Sequence, residues 1–422
     1  MPYTHRVLDD ELSHVLNGLP AVSIEGPKGV GKTMTASQFA RTIIQLDDPD
    51  EVALLNVNPA RLESLPVPIL LDEWQRYPRS WDLVRRAVDK QAKPGSFILT
   101  GSATPREATH SGAGRIVRLR MRPMSFDERE LETPTVSFAS LLSGAKPQVS
   151  GESDLTINDY AQEITRSGFP GIRAFSEQYQ PLALDGYLDR IVEHDFAELG
   201  YVVRRPEALR SWLTAYAAAT GSTVSYEKIL DAATPGVAEK PARATAMAYR
   251  DTLIRLWIID EVPAWLPTRN PMTALTQAPK HFLADPALAA RLLAVSSHRL
   301  VETPDPGSVS IVDGPLLGAL FENLAALTIR VHAQTHGARI GHLRTKGGEH
   351  EVDLIVERQD GKVLACEVKT SRVPTDADGR HLSWLSQQLG KDLVDAVILT
   401  AGSTAYRRHD GIAVVPLALL GV

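Results

Sequence analysis

Gly26-Pro27-Lys28-Gly29-Val30-Gly31-Lys32-Thr33 constrains the fold of this chain more than any other eight residues. It fills the pattern G-x-x-x-x-G-K-[ST] at every fixed position. An apolar strand candidate, Ala21-Val22-Ser23-Ile24, precedes it, and a helical stretch from Met34 to Ile44 follows. A strand, a glycine-rich turn and a helix start, in that order, turn backbone N–H groups inward and set a helix dipole behind them, which makes a cradle for phosphate. In such a cradle Lys32 reaches the β- and γ-phosphates and the Thr33 hydroxyl holds Mg2+, while Gly26, Pro27, Lys28, Gly29, Val30, Gly31 and Met34 complete the loop around the ligand. The pattern predicts ATP and Mg2+ as ligands.

The first 132 residues alternate apolar runs with amphipathic ones, with strands expected at 21–25, 52–57, 67–71, 96–100 and 116–120 and helices at 5–18, 32–45 and 79–92. That alternation reads as a parallel sheet with helices on both faces. Hydrolysis needs more than a phosphate cradle, and Val67-Pro68-Ile69-Leu70-Leu71-Asp72-Glu73 is an apolar run ending in two carboxylates. Asp72 is the candidate for the Mg2+ shell, and Glu73 for orienting and deprotonating the attacking water. Phe97-Ile98-Leu99-Thr100 leads into Gly101-Ser102-Ala103-Thr104, where Thr100 and Ser102 are candidates for a polar sensor and Ser102 stands ahead. Arg115 follows Ser111-Gly112-Ala113-Gly114 and is a candidate arginine finger, in cis or toward a neighbouring copy in a homo-oligomer. The run Arg115, Arg118, Arg120, Arg122 reads equally well as a solvated strand face.

Residues 133–154, with scattered Pro, Ser and Gly, read as a linker; 155–300 has helical periodicity, with stretches at 181–200, 205–220 and 242–259. Thr220-Gly221-Ser222-Thr223-Val224-Ser225, followed by two helices, suggests a helix-turn-helix or winged helix. Such a unit serves DNA binding or simple packing. A second linker spans 301–313, and 314–422 alternates helix and strand again. The fold expected is a multidomain α/β protein. A net charge of −6 excludes a wholesale basic coat for nucleic acid. Cys366 is the only cysteine, so no intramolecular disulfide forms. With no signal-like N-terminus and no apolar run of about 18 residues, the expectation is a cytoplasmic protein without a membrane partner.

Gly26–Thr33, Ile69–Gln75, Leu99–Ser102 and Gly114–Phe126 together resemble prokaryotic AAA-type ATPases fused to a DUF4143 domain. Ser167-Gly168-Phe169-Pro170, Val192-Glu193-His194-Asp195 and Ala278-Pro279-Lys280-His281-Phe282-Leu283-Ala284-Asp285 extend the resemblance through the middle of the chain. It implies an AAA/STAND-like ATPase core, a winged-helix middle domain and a nuclease-like C-terminus. Glycine is usual where Ser167 stands and arginine where His194 stands.

Asp353 and the run Glu367-Val368-Lys369 form the arrangement D-x13-E-x-K on two expected strands. Alternation along a strand puts Glu367 and Lys369 on one face. Asp353 and Glu367 could share a divalent metal, with Lys369 activating water for attack on a phosphodiester and Glu322 completing the shell. Gln388, on the following helix, is a further polar candidate. The pattern resembles the PD-(D/E)xK nuclease core. Three readings stay open: a metal-dependent DNA nuclease, an inactive nuclease-like binding module, and surface charge.

Overall fold

Five parallel strands carry the glycine-rich loop. They are β1 (Ala21–Glu25), β2 (Thr42–Gln45), β3 (Ile69–Asp72), β4 (Phe97–Gly101) and β5 (Val117–Arg120), ordered β2-β3-β4-β1-β5. The computed structural model describes residues 3–90, 93–102, 113–234, 242–267, 277–302 and 314–422. Ala103-Thr104, Ser111-Gly112 and residues 303–313 of the second linker lie outside them. β1, buried along its whole length, lies between β4 and β5, and β4 separates it from β3. All five strand ends that bear loop or acidic residues therefore open on one edge of the sheet, where open parallel sheets bind ligands.

Two sequence expectations fail between residues 32 and 57. The helix after the loop stops at Phe39, and Thr42–Gln45, expected to be helical, is strand β2. Its β-branched Thr42, Ile43 and Ile44 favour the pleated state, and Ile44 pairs with Leu71. The strand expected at 52–57 is instead the end of the helix Pro49–Val57. Pro49 opens that helix, and the Asp48 carboxylate caps it by accepting from the Asp50 N–H at 2.9 Å.

The stretch 133–154, read as a linker, is built into the C-terminal sheet. β6 (Val136–Ser137) and β7 (Gly151–Glu152) flank the helix Phe138–Ser143, whose Phe138, Leu141 and Leu142 are buried. The C-terminal strands are β8 (Arg339–Arg344), β9 (Glu351–Glu357), β10 (Val363–Lys369), β11 (Leu393–Thr400), β12 (Thr404–Arg407), β13 (Ala413–Pro416) and β14 (Leu420–Gly421). β7 joins the edge of a sheet ordered β7-β12-β13-β11-β10-β9-β8, and β6 pairs with β14.

Between the two sheets the chain is mainly helical. The helix Gln180–Arg190 runs through a π-helical turn, Ile191–Asp195, into Phe196–Glu198. Pro206–Ala218, Tyr226–Ala232 and Arg243–Arg255 follow, then antiparallel bridges join Ile259 to Leu283 and Val262 to Lys280. The helix Gly314–Thr335 is the central post. By length and composition its Pro315–Thr335 part could cross a membrane, but it packs as a core helix with Leu320, Phe321, Leu324 and Ala325 fully buried. It also bolts onto the first domain: Thr328 accepts from the Phe126 N–H at 3.0 Å, and His332 meets Asp127 at 3.0 Å.

Candidate nucleotide site and the C-terminal carboxylate cluster

The glycines set the shape of the loop. Gly29 and Gly31 stand at φ 81° and 102°, in the left-handed region where a side chain is strained. Lys32 is buried and its ammonium donates to the Gly26 and Pro27 carbonyls at 3.0 and 2.8 Å. Burial pushes that ammonium down to about 8, against the pull of Glu73 and Asp72. Val30 is buried, and its carbonyl accepts from the Arg6 guanidinium at 2.9 Å, which also pairs with Glu128 at 3.1 Å. Arg6 thus props the loop from behind, a role with no motif to announce it.

Strand order explains the carboxylate end. β4 lies between β1 and β3, with Thr100 opposite Ile24 and Leu99 opposite Leu71. Thr100 therefore reaches Asp72, and its hydroxyl donates to Asp72 Oδ1. The Thr33 hydroxyl donates to the same oxygen at 2.8 Å. Ser102, placed ahead of Thr100 by the sequence, is instead 3.3 Å from the Gln75 amide, which also donates to Glu73. Glu73 leaves β3 at φ 54° and lines the cavity over the loop. Gln75 is the residue the sequence reading missed, although it stands two positions beyond Glu73.

Thr33 and Asp72 fit a Mg2+ ion held beside the phosphates: one hydroxyl and one carboxylate, both hard oxygen donors, converge within hydrogen-bond distance. Arg115 is not brought to this site. Half-exposed, it pairs with Asp89 at 2.8 Å on the helix Arg79–Lys90.

The cavity over the loop, about 700 Å³, is lined in part by segments far away in sequence. Tyr3, Thr4 and Arg6 contribute to its wall, as do Pro170, Gly171, Arg173 and Ala174. Lys28 does not face the cavity alone. Its ammonium pairs with Asp195 at 2.7 Å and Glu198 at 2.6 Å, and Glu198 also takes Arg76 at 3.0 Å. Asp195 at the end of the π-helical turn thereby holds the loop, and Glu198 in the helix that follows holds both the loop and the segment after Glu73. Asp285 holds Ser167 at 3.0 Å and caps its own helix through Ala287 N at 2.8 Å. Ser167 stands at φ 72°, which explains why glycine suits that position.

A model described as an AAA domain matches residues 19–130. Domains of unknown function, DUF8612 and DUF4143, match 157–299 and 317–420. The chain thus joins a P-loop region that matches an AAA domain to a region that matches DUF4143. Uncharacterised proteins of Mycobacterium bovis and Mycobacterium tuberculosis are each 23% identical to it, over 96% of this chain and 82% of theirs. A Walker-type ATPase of Pyrococcus abyssi superposes with a TM-score of 0.38 at 16% identity, over 69% of this chain and 98% of that one.

In the DUF4143 region the candidate metal residues do come together, but around a lysine. Lys280 Nζ stands 2.7 Å from Glu322, 2.9 Å from Asp353 and 3.3 Å from Glu351. The other Asp353 oxygen accepts from the Val368 N–H at 2.9 Å. Glu367 pairs with Lys369 at 2.8 Å through one oxygen. Its second oxygen is buried and has no hydrogen-bond partner among the described residues. Burial and Asp353 push the Glu367 carboxyl up to about 8. Asp353 stays low despite burial, because Lys280 and Lys369 face it. Among the described residues no three His, Cys, Asp or Glu side chains are arranged to hold a metal. At the expected site of Asp353 and Glu367, with Glu322 and Lys369, the Lys280 ammonium thus stands between Glu322 and Asp353, and Gln388 is exposed on the helix Asp376–Leu389.

Proposed function

We propose that the chain is an ATP-hydrolysing switch, in which nucleotide at the loop sets how the middle helices grip the AAA domain. The observation that carries the hydrolytic reading is the single Asp72 oxygen that receives both the Thr33 and Thr100 hydroxyls at the mouth of the Lys32 loop. Lys32 neutralises phosphate charge, and Thr33 with Asp72 holds Mg2+, which when bound withdraws charge from the phosphates. Glu73, on the cavity wall and hydrogen-bonded to Gln75, takes the proton of the attacking water. The switch reading rests on Lys28 and Arg76, which meet Glu198 from both sides of the site. Replacing Lys32 with Ala is expected to abolish phosphate release, and Glu73→Gln to preserve ATP binding while stopping turnover. Undiminished phosphate release by the Lys32→Ala protein would sink the assignment. Arg115 pairs with Asp89, so a finger role in cis would first break that surface pair, whereas a role in trans predicts a turnover number that rises with protein concentration. A DNA-cleaving or DNA-binding output gains no comparable observation.

A further inference from the structure

Lys280 belongs to the segment that links the middle helices to the C-terminal sheet, and it bridges back to Val262 through both backbone groups, at 2.8 and 3.0 Å. Its side chain is 1% exposed and ends among three carboxylates that come from separate elements. Glu322 comes from the long helix, while Glu351 and Asp353 come from alternate positions on one face of β9. Beside them Glu367 carries a buried oxygen without a partner among the described residues. Four carboxylates thus face two ammonium groups, Lys280 and Lys369, with the Arg344 guanidinium reaching Glu351 at 3.2 Å from the rim.

A donor set of hard, partly to fully buried oxygens from a helix and two paired strands is what a divalent cation asks for. An ammonium at about 3 Å from several carboxylates satisfies the same electrostatic demand without a metal. We propose that Lys280 is an internal cation in place of a metal: while it is seated, the DUF4143 domain binds no divalent ion, and without it Glu322, Glu351 and Asp353 form a divalent-cation site. The lysine arrives on a different segment from its partners, so its seating also docks the middle helices on the C-terminal sheet. The nuclease-like arrangement of Asp353, Glu367 and Lys369 is, in this state, a docking socket and not a cutting centre.

The test titrates Mn2+ alone, without nucleotide, into the full chain and reads free Mn2+ by electron paramagnetic resonance. The parent is expected to retain no Mn2+ that depends on Asp353, so that Asp353→Asn leaves the titration unchanged. Lys280→Ala is expected to gain a site at least about tenfold tighter than anything in the parent, because one close positive charge has been removed. Adding Asp353→Asn to Lys280→Ala should erase that gain. Lys280→Arg keeps the charge and should bind like the parent. Parent binding that Asp353→Asn abolishes would overturn the proposal without any Lys280 variant having to fold. A folded Lys280→Ala protein, by circular dichroism, that gains no Mn2+ would overturn it as well. Neither outcome bears on the ATPase reading, which the Lys32 variant tests at a separate site.

Discussion

Thr100 shows what one hydroxyl contributes. It is fully buried and donates to the Asp72 oxygen that Thr33 also uses, so it fixes the rotamer of the candidate metal carboxylate. A hydrogen bond to a charged group contributes about 1.5–3 kcal/mol. If it acts on the reacting geometry, its loss slows turnover by about 10- to 100-fold. Thr100→Ala is therefore expected to lower kcat by that factor while nucleotide affinity without Mg2+ stays near the parent value. Ser102→Ala should do less, since Ser102 reaches Glu73 only through Gln75. Equal losses in the two variants, measured by steady-state phosphate release, would defeat the distinction. The sequence could name Asp72, Glu73 and Lys32 because their roles follow from local spacing. It could not rank Thr100 above Ser102, because that ranking depends on β4 lying between β1 and β3. Lys280 was hidden for the same reason: its three partners lie on other elements.

Single elements were legible where periodicity was long and ambiguous where it was short. The long helix Gly314–Thr335 and strands β9 and β10 follow the alternation of helix and strand expected over 314–422. Thr42–Gln45 and Pro49–Val57 exchanged types because short apolar runs fit either period; the Asp48-Pro49 start signal was the decisive cue. β6 and β7 are too short to announce themselves and exist only through their partners β14 and β12. On β8, His342 is buried and its Nε2 donates to the Ala278 carbonyl at 3.1 Å, seating the segment that carries Lys280. Burial and the Lys280 charge push this imidazole down to about 4. The unfolded chain therefore binds a proton near pH 6.5 that the folded chain refuses until about pH 4. The stability contribution is full above the unfolded value and is lost as pH falls. Between pH 7 and 4.5 the parent should lose about 2–3 kcal/mol more than His342→Gln in urea unfolding. Parallel losses in the two proteins would show that His342 is not the group responsible.

At the scale of the whole molecule, one carboxylate ties the three regions together. Asp260, from the segment after the helix Arg243–Arg255, takes Arg120 and Arg122 of the AAA sheet, each at 2.9 Å. It also takes Arg330 of the long C-terminal helix at 2.8 Å. Burial would raise its carboxyl, but the Arg120, Arg330 and Arg122 charges hold it well below the usual carboxylate range. A surface ion pair contributes at most about 1 kcal/mol, whereas removing one partner from a buried set costs about 3–5 kcal/mol, because the remaining charges stay desolvated and repel. Here three guanidiniums would be left facing one another, with the Trp257 ring 4.6 Å from the Arg120 guanidinium. Asp260→Ala is thus expected to destabilise the fold by about that amount. Its effect should be largest at the junction, so limited proteolysis should cut between the AAA domain and the helices before either sheet is lost. Arg122→Gln, which removes one of three like charges, should cost less than Asp260→Ala. The reverse order, or an Asp260→Ala protein within about 1 kcal/mol of the parent, would mean that Asp260 is not what holds the three regions together. Nucleotide at the loop would then have no charged hub through which to reach the C-terminal helix.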